Sequence, residues 1–76
     1  MTKLSQISGK ELVKVLQKVG YELISQKGSH IKLRQFNPIK ITIIVPNHKI
    51  IRPGTLNNIL KKVGISKDRL KEILKN

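Results

Sequence analysis

The residues with most chemistry to offer are the two histidines and the cations around them. His30 follows Lys27-Gly28-Ser29, and Lys32 and Arg34 follow it at two-residue intervals. An imidazole takes and gives a proton near neutral pH. Ammonium and guanidinium groups hold phosphates. Cleavage of RNA needs this combination: a base for the 2′-hydroxyl, cations for the charge that builds on phosphorus, and an acid for the leaving 5′-oxygen. One histidine can serve as base or acid, with a lysine or water as the other. A histidine at the start of a strand also has a plainer role, a hydrogen bond to a neighbour, and the residue alone does not separate the two. His48, in the loop with Lys49 and Arg52, offers a second acid. Loop histidines commonly serve local geometry instead, and that is the reading favoured for His48.

Other chemistries have little to stand on. There is no cysteine, so neither a disulfide framework nor a thiolate metal site is available. The four carboxylates, Glu11, Glu22, Asp68 and Glu72, are scattered without ligand spacing, so no metal is expected. Ser29 adjoins His30, but no carboxylate is placed to orient the imidazole as a triad would require.

Sixteen Lys and Arg against four Asp and Glu give a formal net charge of +12 in 76 residues. Self-repulsion of that size opposes folding, so a polyanionic partner is the economical explanation. Nucleic acid is the first candidate and an anionic membrane surface the second; a merely well-solvated surface is the plain alternative. Lys10, Lys14 and Lys18 add a stripe at helical spacing, which suits a polyanion or simply a wet face. Tyr21 and Phe36 are the only aromatics. Single-strand binders stack bases on several exposed rings, so recognition here should be electrostatic and shape-based. No stretch approaches the roughly 20 apolar residues of a membrane span, and Met1–Ser8 lacks a signal peptide's apolar run. A cytoplasmic protein of one domain, residues 1–76, is expected.

The elements that must position these residues are legible in outline. Ser8 and Glu11 have capping-box spacing, and Leu12, Val15, Leu16 and Val19 recur at helical intervals before Gly20. This predicts a helix over 9–19. Residues 21–26 read as a strand of ambiguous facing. Ile31 and Leu33 alternate with His30, Lys32 and Arg34, the mark of a half-buried strand. Asn37-Pro38 breaks it. A third strand, 40–45, turns Ile41, Ile43 and Val45 inward and is ended by Pro46, which cannot donate to a ladder. Pro53 opens a helix bearing Leu56, Ile59, Leu60 and Val63, where Pro53-Gly54-Thr55 reads as ordinary initiation. Ser66 caps a last helix with Leu70, Ile73 and Leu74. Leu12–Gly20 and Leu56–Gly64 share a nine-residue pattern, read as two similarly capped helices and not as a repeat array. The order α-β-β-β-α-α predicts an α+β fold, a three-stranded antiparallel sheet with helices on one face. Its free face would carry His30, Lys32, Arg34, Lys40, Thr42 and Ile44.

With these residues in view, the chain resembles the HicA toxins of bacterial and archaeal toxin–antitoxin pairs. The resemblance runs from Ser8 to about Leu74. It rests on Gly20-Tyr21, Gln26-Lys27-Gly28-Ser29-His30, Val45-Pro46-x-His48 and Pro53-Gly54-Thr55-Leu56-x-x-Ile59-Leu60-Lys61-x-x-Gly64, in that order. It implies a double-stranded-RNA-binding-domain-like fold and a toxin of a type II pair. It also implies a metal-independent endoribonuclease cleaving mRNA without a cofactor, and a HicB-type antitoxin that covers the site. The family's catalytic histidine is the one after Gly-Ser, here His30. Lys27, Ser29, Lys32, Arg34, Lys49 and Arg52 are the expected phosphate contacts, with His48 secondary. Family members often carry a second histidine or an aromatic after Gly-Ser-His; this chain has Ile31, which by alternation faces the core. The competing reading is a non-catalytic basic module binding RNA or DNA, and a third is a module for an acidic protein partner.

Overall fold

A computed structural model describes residues 7–37 and 39–75. Pro38, expected to break the second strand, lies outside the described residues. The elements are α1 (Gly9–Lys18), β1 (Glu22–Lys27), β2 (His30–Gln35), β3 (Ile41–Pro46), α2 (Pro53–Val63) and α3 (Lys67–Lys75). The α+β class and element order are those expected.

Helix α1 starts where its cap says. The Ser8 hydroxyl accepts from the Glu11 amide at 3.1 Å, and the Glu11 carboxylate accepts from the Ser8 amide at 3.0 Å. It ends at Lys18, with Gly20 at φ 104° and the Gly20 and Tyr21 amides donating to Gln17 and Leu16 carbonyls. That is the double closure of a Schellman turn. Leu12, Val15 and Leu16 are buried on one face of α1, while Lys10, Lys14 and Lys18 are exposed on the other. Helix α3 begins at Ser66, whose hydroxyl accepts from the Arg69 amide at 3.1 Å.

The strand order is β1-β2-β3, antiparallel throughout. β2 is central, and its two inward residues are almost fully buried, Ile31 and Leu33, as are Ile43 and Val45 of β3. Helix residues Leu12, Leu16, Leu56, Leu60 and Leu70 complete this core, together with Ile7, Tyr21 and Ile51. Burial of such side chains is worth about 1.5–3 kcal/mol each.

Two sequence expectations change. Pro46 does not stop β3 short: it is the last strand residue and pairs with His30. The reason is ladder geometry. Asn47 N–H donates to the Ser29 carbonyl at 2.7 Å, which makes that pair hydrogen-bonded. In an antiparallel ladder such pairs alternate, so the pairs at Val45, Ile43 and Ile41 bond to β2, while Thr42, Ile44 and Pro46 turn their main chain outward. A proline at an outward position forfeits no ladder bond. Lys40 in turn falls just outside the strand and is exposed.

The ambiguous facing of β1 also has a cause. The register runs Lys27↔His30, Gln26↔Ile31, Ser25↔Lys32, then slips to Leu23↔Leu33 and Glu22↔Arg34. Ile24 is the extra residue of a bulge. The slip pairs Leu23 with Leu33 and Glu22 with Arg34, while Tyr21 before the strand is buried and Leu23 stays exposed, so no single alternation describes the strand.

Candidate active site on the open sheet face

The tight connection between β1 and β2 has Gly28, at φ 58°, in the first loop position and Ser29 in the second. Glycine first and an ordinary residue second is the pattern of a type II′ hairpin. It delivers His30 at the first position of the central strand, with Lys27 opposite on one side and Pro46 on the other. His30 is exposed.

Residues directly opposite one another in a ladder share a face. The open face therefore holds three rows. Lys27, His30 and Pro46 form the first, Ser25, Lys32 and Ile44 the second, and Glu22, Arg34 and Thr42 the third. Lys32 and Arg34 are half-buried, as long cations on a sheet commonly are. Arg34 is held in place: its Nε donates to the Thr42 hydroxyl at 3.1 Å. That bond uses Nε and leaves the terminal guanidinium nitrogens out of it.

The loop after β3 is fixed from beneath. The His48 carbonyl accepts from the Gly9 amide at 2.9 Å, and the Ile7 carbonyl accepts from Ile51 at 2.8 Å. The start of α1 presses so closely on this segment that a Cβ at position 9 would collide with the Pro46 carbonyl oxygen. His48 thus secures the loop through its backbone carbonyl, and the residue is exposed. Lys49 and Arg52 are exposed on the same loop, and neither shares a ladder pair with His30.

The structure brings together Lys27, His30, Lys32 and Arg34, with Ser29 in the adjoining turn. Beyond the residues expected on it, the face also holds Lys27, Ser25, Pro46 and Glu22. Thr42 was placed on it but not as Arg34's anchor, and Glu22 joins it only through the bulge. A two-residue Gly-Ser loop does announce the pairing of Lys27 with His30. Nothing in the residues announces the slip at Ile24. Among the described residues, no three His, Cys, Asp or Glu side chains converge as a metal site would require. No described helix is long and apolar enough to cross a membrane.

A basic α+β domain with an exposed histidine on a cationic sheet face is the class of protein this geometry defines, and the fold is double-stranded-RNA-binding-domain-like. The family model described as the HicA toxin of bacterial toxin–antitoxin pairs matches residues 9–65 of the 76. The chain belongs to the HicA toxin family, and it is the toxin of a toxin–antitoxin system. No curated protein sequence matches it.

Proposed function

We propose that this chain is a metal-independent endoribonuclease that cuts mRNA in the cytoplasm, with His30 as the proton-transferring group. The observation that carries the reading is the first two rows of the open face: an exposed imidazole, delivered by a tight turn, with Lys27 opposite it and Lys32 two residues along the same strand.

His30 takes the proton of a 2′-hydroxyl, and the freed oxygen attacks the adjacent phosphorus. The bond from phosphorus to the 5′-oxygen breaks, leaving a 2′,3′-cyclic phosphate, and the 5′-oxygen leaves with a proton from a lysine of the face or from water. Lys32 and Arg34 hold the non-bridging oxygens as charge accumulates on them. Lys27 and Ser29 bind the flanking phosphate, and Lys49 and Arg52 extend the contact along the backbone. With so few rings, the RNA is held by charge and shape. No cofactor has a step in this scheme. The antitoxin, of the HicB type, acts by covering the open face.

The test is incubation of purified protein with a labelled mRNA in EDTA, wild type beside His30→Ala. Cleavage by wild type alone supports the reading. Equal cleavage by both overturns the role of His30. Cleavage by neither, with salt-sensitive binding retained, makes the chain a binding module.

A further inference from the structure

Among the described residues both outer strands of this sheet have a free edge, but they are guarded unequally. β1 carries Glu22 and Lys27 at its ends and a bulge at Ile24. Charges and bulges are how edges are kept from pairing. β3 has neither: Ile41-Thr42-Ile43-Ile44-Val45 is uncharged, its register with β2 is unbroken, and only Pro46 blunts one end. The alternation set by Ser29 and Asn47 points the main-chain N–H and C=O of Thr42 and Ile44 away from β2, into this edge.

Alongside lies a groove of about 300 Å³ between β3 and α2, lined by Ile43, Ile44, Thr55, Asn58, Ile59 and Lys62. Ile43 faces the helices and is buried, whereas Ile44 faces the open side at 44% exposure. A groove touching both runs along the strand's outer edge. Three isoleucines line it together with Lys62, which is exposed, and Lys40 is exposed just before the strand.

We propose that the β3 edge docks an extended segment of a separate polypeptide, added to the sheet as a fourth strand. The segment is acidic, with at least one apolar side chain seated in the groove. Strand addition supplies backbone hydrogen bonds, and alternate side chains read the pocket. The charge follows from the surroundings: a chain of net charge +12 with cations at the groove and the strand's end favours carboxylates. The same charge on a second copy opposes self-pairing. RNA does not offer the alternating donors and acceptors that a strand edge needs. The inference concerns the edge, not the open face, and stands independently of the role given to His30.

The probe is a blocked octapeptide of alternating glutamate and valine, added to the intact protein while backbone amide exchange is followed. Thr42 and Ile44 amides are expected to exchange about tenfold more slowly with the peptide bound, with β1 unchanged. A lysine–valine octapeptide should not protect them. Ile44→Pro removes an outward N–H without removing a β2–β3 bond, and should abolish protection. Lys62→Glu, at an exposed position of α2 and not in the strand itself, should weaken binding severalfold and tests the charge if the proline variant fails to fold. Absent protection at Thr42 and Ile44, protection at β1 instead, or equal binding by Lys62→Glu overturns the proposal. Protection that appears with protein concentration alone assigns the edge to a second copy, and protection by an RNA oligomer but not the peptide assigns it to nucleic acid; either also overturns it.

Discussion

The amide of Asn47 donates to the carbonyl of Ser29 at 2.7 Å. This single bond sets the phase of the β2–β3 ladder. It puts His30 opposite Pro46 in a non-hydrogen-bonded pair, where side chains approach most closely. It also turns the proline nitrogen outward, so the strand that supports His30 can end in a residue with no N–H to give.

Arg34 is expected to bind phosphate from a fixed position. Arg34→Ala should reduce RNA affinity and lower the slope of log affinity against log salt by about 0.7–0.9, one phosphate contact. Thr42→Val removes the anchoring bond and keeps the charge, so it should retain the slope and lose part of the affinity. Filter binding across a salt series checks both. An unchanged slope for Arg34→Ala places Arg34 off the RNA.

Gly28→Ala should destabilise the chain by about 1–2 kcal/mol, because a side chain there must adopt φ 58°. Thermal unfolding measures it. Since Gly28 sets the turn before His30, cleavage by the folded fraction should fall as well. A variant with unchanged melting temperature would mean that the turn has another conformation open to it.

Gly9→Ala tests the seat of the β3–α2 loop. The added methyl would meet the Pro46 carbonyl oxygen and lie 3.0 Å from the Asn47 Cα. Neither is a flexible side chain, so the helix start or the loop must shift, at a cost of about 1–3 kcal/mol. Denaturant unfolding should show that loss, even though alanine is the better helix former.

Tyr21 is buried, and its hydroxyl has no hydrogen-bond partner among the described residues. Burial raises its pKa above 10.0 by disfavouring the phenolate. The folded state thus holds this proton more tightly than the unfolded chain does. Its contribution to stability is full below about pH 10 and is lost as the pH rises through the folded-state value. Tyr21→Phe should remove that alkaline loss and leave stability at neutral pH equal or higher, since an unpaired buried hydroxyl disappears. A clear drop in the melting temperature at pH 7 would show that the hydroxyl is paired.

Much of this protein is written locally. Ser8 with Glu11, Gly20 and Ser66 mark helix ends by bonds between near neighbours, and Pro53 opens α2 through its fixed φ, so the three helices follow from adjacent residues alone. The alternation of His30, Lys32 and Arg34 with Ile31 and Leu33 needs only the two-residue period of a strand to set a cationic face against a core face. The sequence by itself therefore determined the element order, the basic open face and the presence of His30 on it. Tertiary structure decided what depends on pairing between distant segments. The slip at Ile24 exists only relative to β2, and it alone brings Glu22 opposite Arg34 and Leu23 opposite Leu33. Whether Pro46 ends or continues β3 depends on which way its nitrogen points, which the Ser29–Asn47 bond dictates. The hold of Thr42 on Arg34 and of the Gly9 amide on the His48 carbonyl spans eight residues in one case and thirty-nine in the other. Local propensity carries no information about such partners, because their geometry is settled only when strands and helices pack.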